Sequence, residues 1–118
     1  MQGCSPGIGG FNWRLDVETK PGIISKAIEQ KCFLKFKYKG HERIVEPYIL
    51  GKTANNAFSL NAYFVSGYSG SKSELPWRYY NLDKISNLHI QDETFSQAQP
   101  GYNPRDPKFS IIYCYYED

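Results

Sequence analysis

Three basic side chains draw attention because they fall on or beside predicted strands that are neighbours in any small β domain. Arg43 lies in an early strand, whereas Arg78 and Lys84 lie in and just after a later one. A guanidinium offers a planar set of donors that matches a phosphate or carboxylate, and a lysine adds a point charge. We therefore predict that Arg43, Arg78 and Lys84 converge on one anion. The alternatives are scattered surface charges, or an Arg78 that pairs with a carboxylate such as Glu46 and serves structure.

A second basic group alternates along the predicted strand that begins at Cys32. Lys35, Lys37 and Lys39 share one face, with Phe33 beside them as a stacking platform for a base. This pattern is typical of a surface that follows a phosphate backbone, so these residues are weaker nucleic-acid-binding candidates. More often, such a lysine ladder is a solvated strand face that keeps an edge from pairing wrongly.

Little in the sequence indicates catalysis. His41 falls in a predicted turn and His89 on a polar strand face, and no Gly-x-Ser-x-Gly elbow is present. No histidine pair has the helical spacing of a metal site, and the three cysteines show no C-x-x-C spacing. We therefore predict a protein that is not an enzyme and has no metal and no cofactor. The formal net charge of +2 is too small to require an anionic partner by itself.

The chain length of 118 residues suits a single domain. Residues 1–20 are rich in glycine and predict an N-terminal tail, which leaves 21–118 as the domain. The sequence shows no signal-peptide pattern, no apolar run of about 18 residues and no glycosylation acceptor. These observations predict a soluble, cytoplasmic protein without a membrane partner.

The element that must position the basic residues is a central strand, 57–65. Its period of two places one apolar set on a face that predicts a core stripe, and a more polar set on the other face. That second face lines a groove or meets water. The apolar set is Phe58, Leu60, Ala62 and Phe64, and the polar set is Ser59, Asn61 and Tyr63.

A helix and a hairpin precede this strand. Thr19 is the predicted N-cap of a helix over 23–31, whose buried stripe is Ile24, Ala27 and Ile28. A strand from Cys32 then alternates Leu34, Phe36 and Tyr38 with the lysines. We predict a turn at 40–41, a second strand over 42–50 that pairs as a hairpin, and a loop over 51–56.

The remainder of the chain predicts further strands joined by irregular segments. Serines and glycines over 66–76 favour a loop, and the segments 77–82 and 85–90 predict two strands or one bent strand. Three prolines over 100–107 favour an irregular crossing. A closing strand over 109–116 places Phe109, Ile111, Tyr113 and Tyr115 on one side, so we expect it to pair within the sheet or at an oligomer seam. The pattern as a whole predicts a mainly β fold, a small and partly closed barrel preceded by one short helix.

Three segments in order resemble the WYL domains of bacterial transcriptional regulators and defence-associated proteins. Arg43–Leu50 matches the pattern R-x-V-x-P-x-x-L, Phe58–Tyr63 stands at the W-Y-L position, and Arg78–Ile85 matches R-x-F-x-L-D-R-I. The resemblance covers about residues 23–95. It implies an Sm-like, SH3-type β-barrel of five or six strands with a basic pocket that binds nucleotides or nucleic acid and regulates a linked effector, without catalysis.

The resemblance also assigns individual positions. The family's tryptophan corresponds to Phe58, its tyrosine to Ser59 and its last arginine to Lys84, whereas Arg78 is retained. Ser59 lacks the ring on which a base stacks, a contact worth about 1–3 kcal/mol in single-strand binders, and Tyr63 on the same face is a candidate to replace it. Lys84 keeps the charge but not the bidentate geometry.

The sequence therefore predicts a non-enzymatic regulatory domain that binds a nucleotide-like ligand or single-stranded nucleic acid and modulates a partner or transcription. The predicted ligand-binding residues are Arg43, Ser59, Tyr63, Arg78 and Lys84. The alternative is a protein-interaction or oligomerisation module, in which Phe11, Trp13 and the closing aromatic strand form the contact surface.

Overall fold

A computed structural model describes residues 19–67 and 76–117. Most of the predicted N-terminal tail, with Phe11 and Trp13, lies outside the described residues. The prediction of a mainly β fold is confirmed: one helix accompanies six antiparallel strands in a single sheet. The elements are α1 (Lys20–Gln30), β1 (Cys32–Tyr38), β2 (His41–Thr53), β3 (Phe58–Gly67), β4 (Trp77–Asn81), a 3₁₀ helix (Leu82–Lys84), β5 (Ile85–Thr94) and β6 (Phe109–Tyr115).

Helix α1 begins where the sequence predicts its cap. The Gly22 N–H donates to Thr19 Oγ1 at 3.2 Å, which satisfies one of the free donors of the first turn. The predicted stripe of Ile24, Ala27 and Ile28 is buried in the core. The helix ends at Gln30, and the C-cap residue Lys31 adopts a left-handed conformation.

Strands β1 and β2 form the predicted hairpin, with its turn one residue earlier than predicted. Tyr38 pairs with His41, so the turn consists of Lys39 and Gly40. Both have positive φ angles, 53° and 80°, which is the pattern of a type I′ turn and matches the twist of the strands. Lys39 therefore belongs to the turn and not to a strand face.

Strand β2 is longer than predicted because it pairs with two different strands along one edge. Its first half pairs with β1 and its second half with β6, while β3 pairs along its other edge. The prediction of a loop from residue 51 was wrong, since Gly51 lies inside the strand. A methyl group on Gly51 would overlap the carbonyl oxygen of Ile111, so the glycine permits this close pairing.

The strand order is β4-β3-β2-β1-β5, with β6 attached to β2. Strands β4 and β5 stand at the two ends of this order, and the ladders between described residues do not join them. The observed pairing thus establishes a six-stranded antiparallel sheet, and closure into a barrel stays a prediction.

Both faces of the central strand are covered, so the second face is neither a groove nor a solvated surface over most of its length. Asn61 is 4% exposed and Ser59 is 7% exposed. The irregular segment 95–108 crosses this face, where the Trp77 indole N–H donates to the Pro100 carbonyl at 2.8 Å. The Tyr48 ring lies at the centre of the cluster beneath the crossing, 4.9 Å from the Trp77 ring and 4.8 Å from the Tyr102 ring.

Strand β6 pairs within the sheet, as one of the two alternatives predicted. Its assignment to a single face was wrong at Ile111, which is 38% exposed, whereas Phe109 and Tyr113 are buried. The register between β2 and β6 shifts twice along the ladder. Each such irregularity adds a residue on one strand and breaks the alternation of faces.

Candidate ligand-binding site

Arg43 lies on the core side of the sheet, near one end. It pairs with Phe36 of β1 and with Gly67 of β3, and it is only 5% exposed. Its guanidinium carbon is 5.4 Å from the centre of the Tyr38 ring and 6.0 Å from that of Tyr80. The two tyrosine rings meet edge to face at 4.9 Å, so Arg43 lies against an aromatic wall.

This arginine has no carboxylate partner among the described residues. The one ion pair recorded there joins Lys35 and Glu42 at 3.7 Å. The Nε–H group of Arg43 is buried and donates a hydrogen bond to no acceptor in the described part of the chain. Because a buried charge without a counterion is costly, this position favours the binding of an anion.

Arg78 approaches the same place from β4. It pairs with Ala62 of β3, and its guanidinium carbon lies 3.9 Å from the centre of the Phe64 ring. Burial raises the pKa of the Tyr80 phenol, while the positive charges of Arg78 and Arg43 act to lower it. Both guanidinium groups therefore act on one buried hydroxyl. We call Tyr38, Arg43, Phe64, Arg78 and Tyr80 the arginine site.

Glu46 does not pair with Arg78. Its two carboxylate oxygens accept hydrogen bonds on the opposite face of the sheet, from the Tyr48 hydroxyl at 2.7 Å and from the Gln99 amide at 3.2 Å. Glu46 is therefore not the carboxylate in the alternative where a paired Arg78 serves structure.

Two other predicted ligand residues, Ser59 and Tyr63, lie elsewhere. Ser59 faces Asn81 across β3 and β4 and lines a separate concavity. The Tyr63 ring packs edge to face on Trp77 at 5.2 Å, on the face opposite the arginine site. Lys84 is exposed at the end of the 3₁₀ helix. The structure thus brings Arg43 and Arg78 together and separates both from Ser59 and Tyr63.

The lysine ladder does not form one continuous track. The Phe33 ring packs on Phe95 at 5.7 Å, Lys35 pairs with Glu42, and Lys39 belongs to the turn. Lys37 is exposed on the strand. The prediction that these residues bind nucleic acid stays a prediction.

Three members of the arginine site, Tyr38, Phe64 and Tyr80, were not among the predicted ligand residues. In the sequence, each of the three lies on the apolar face of a predicted strand. Ordinary core residues lie on the same faces, so the pattern does not distinguish a ligand residue from a core residue. Only the strand order shows that these rings surround two arginines.

Within the described residues, neither a metal site nor a membrane-spanning helix accompanies the arginine site. Within 19–67 and 76–117, no group of three or more histidine, cysteine, aspartate or glutamate side chains is arranged to hold a metal ion. No helix in the same ranges is long and apolar enough to cross a membrane.

Comparisons with protein-family models, with curated proteins and with solved structures found no match. The resemblance to WYL domains therefore stays a prediction that depends on the three sequence segments.

Proposed function

We propose that this protein is a non-enzymatic regulatory domain that binds a nucleotide-like ligand or single-stranded nucleic acid at the arginine site and so modulates a partner protein or transcription. The observation that supports this most directly is the buried guanidinium of Arg43, which lies against Tyr38 and Tyr80 with no carboxylate of the described residues within 4 Å.

The chemistry of the arginine site suits a phosphate joined to a base. A phosphate oxygen supplies the acceptors that a guanidinium requires, and charge-assisted hydrogen bonds of this kind are about twice as strong as neutral ones. Burial lowers the local dielectric, which strengthens the attraction. The rings of Tyr38 and Phe64 lie against the two guanidinium groups, and bases stack on aromatic rings and on guanidinium planes alike.

The fold that we propose is an Sm-like, SH3-type barrel in the manner of WYL domains. Two observations support it. Strand β2 pairs with β1 and with β6 on the same edge, and its ladders with β3 and β6 contain register shifts, irregularities of the kind that bend strands in small barrels. In addition, Arg43 and Arg78, which fall in two of the three family-like segments, meet at Tyr80.

A fluorescence-anisotropy titration tests the proposed function. The probes are labelled single-stranded RNA, single-stranded DNA, a duplex and a labelled mononucleotide, each at low and moderate salt. We expect salt-sensitive binding that falls at least tenfold in Arg78→Ala and in Arg43→Gln. The matched control is Lys26→Ala, which removes one exposed positive charge from α1 and should change affinity little.

Circular dichroism of each variant separates loss of binding from loss of fold, which matters for the buried Arg43. The proposal fails if no probe binds to the parent protein. It also fails if a folded Arg78→Ala variant binds as tightly as the parent, because the affinity then comes from other residues.

One observation favours the second candidate, a protein-interaction or oligomerisation module. Ile111 is a large apolar side chain that is 38% exposed on β6. If β6 forms a seam between molecules, light scattering after size-exclusion chromatography should show a dimer that is insensitive to salt and that dissociates in Ile111→Lys. A monomer at all concentrations would exclude this candidate for self-association.

A further inference from the structure

A concavity lies apart from the arginine site, where β2 and β4 end and β3 and β6 begin. Its volume is about 690 Å³, which falls in the range of small-molecule sites. Alanine and proline side chains form much of its wall. The polar and apolar lining residues that matter here are Asn55, Ala57, Ser59, Asn81, Pro107 and Lys108.

The hydrogen-bonding capacity of this concavity is biased towards donors. Asn81 Oδ1 already accepts the backbone N–H of Asp83 at 2.9 Å, which leaves the side-chain NH₂ group to donate. Asn55 Oδ1 likewise accepts the hydroxyl of Thr53, which leaves its NH₂ group. Ser59, opposite Asn81 on β3, adds a hydroxyl.

Lys108 supplies the positive charge of this concavity. Its Nζ atom lies 4.7 Å from the centre of the Tyr79 ring, with no carboxylate of the described residues within 4 Å. The nearby carboxylate of Asp106 is occupied, since it accepts the Tyr79 hydroxyl and the backbone N–H of Lys108 at 2.9 Å. The ammonium group can therefore form an ion pair with an anion from outside the protein.

The geometry points to a binding site for a small organic carboxylate with an apolar body. Two amide groups, a hydroxyl and one ammonium offer donors to the carboxylate oxygens, and the walls of Ala57 and Pro107 contact the apolar part. A cation finds no open carboxylate here. A phosphate dianion would meet one positive charge only, in contrast to the two guanidinium groups of the arginine site.

This inference is independent of the proposed function, because the two sites share no residue. Ser59 lines the concavity on β3, whereas Arg43 and Arg78 lie against Tyr80. Loss of nucleotide binding in Arg78→Ala therefore has no bearing on carboxylate binding, and each result can be obtained without the other.

An NMR titration of the ¹⁵N-labelled full chain tests the carboxylate site. The probe is 4-phenylbutyrate, and the matched neutral probe is 4-phenylbutanamide. We expect shifts of the amide signals of Ser59, Asn81 and Lys108 with the acid, and at least fivefold weaker binding of the amide. Lys108→Met should weaken binding of the acid about fivefold to tenfold, whereas Lys108→Arg should retain it.

Two controls complete the test. Lys37→Met removes an exposed charge that is not in the lining of the concavity and should leave the affinity unchanged. Short acetylated peptides with free or amidated carboxyl termini show whether a chain terminus also serves as the carboxylate. The inference is overturned if the neutral amide binds as tightly as the acid, if the shifts lie elsewhere in the sheet, or if Lys108→Met binds as the parent does.

Discussion

The guanidinium carbon of Arg78 lies 3.9 Å from the centre of the Phe64 ring. A cation at this distance is attracted by the negative face of the ring, which stabilises the charge without neutralising it. The Phe64 ring is therefore one partner of Arg78 beside Arg43 and Tyr80.

We expect the contact between Arg78 and Phe64 to be measurable in a double-mutant cycle. Arg78→Met and Phe64→Leu should show a coupling of about 0.5–1 kcal/mol in the free energy of unfolding from urea denaturation. A control cycle combines Phe64→Leu with Lys37→Met, on the other face of β1, and the two changes in the free energy of unfolding should be additive. Additivity in the Arg78 cycle as well would show that the ring does not stabilise the arginine.

Gly51→Ala tests the close pairing of β2 and β6. The added methyl group would overlap the carbonyl oxygen of Ile111, so we expect a loss of about 3 kcal/mol in the free energy of unfolding, or failure to fold. The matched control is Gly40→Ala, where the space is open and only the positive φ of 80° opposes the side chain, at a cost of about 1 kcal/mol. Equal losses in thermal or urea unfolding would contradict the observed pairing.

Tyr48→Phe should destabilise the second face of the sheet. The hydroxyl donates to Glu46 and accepts the backbone N–H of Gln99 at 3.0 Å, so its removal leaves two buried groups without their partner. We expect a loss of about 1–3 kcal/mol in urea denaturation at pH 7. Tyr79→Phe removes a more exposed hydroxyl and should cost less. A larger loss of stability in Tyr79→Phe than in Tyr48→Phe would indicate that the segment 95–108 does not stabilise this face.

Alkaline pH should destabilise the fold through Tyr48 and Tyr79. Burial raises the pKa of both phenols, and hydrogen bonds to Glu46 and Asp106 raise them further. A folded-state pKa above the unfolded value of about 10 gives stability that is complete below pH 10 and is lost as the pH rises further.

The measurement is the free energy of unfolding from urea denaturation between pH 8 and 11. We expect a plateau up to about pH 10 and then a fall that is shallower in Tyr48→Phe, which has one phenol fewer. Identical slopes in the parent and the variant would show that Tyr48 ionises as readily in the folded protein as in the unfolded chain.

The sequence by itself determined the elements whose signals are local. Thr19 caps α1 and the stripe of Ile24, Ala27 and Ile28 is buried, because both features depend on residues within one or two helical turns. The alternation of β1 and its hairpin with β2 were likewise predictable, since a strand and a two-residue turn are specified by neighbouring residues.

Only the tertiary structure decided which residues meet across long separations. Asn61 is buried because the segment 95–108 crosses its face, and Gly51 is a strand residue because β6 returns to pair with it. Arg43 and Arg78 meet at Tyr80 because β3 lies between β2 and β4. Such contacts depend on strand order and register, which the periodicity of a single strand does not specify.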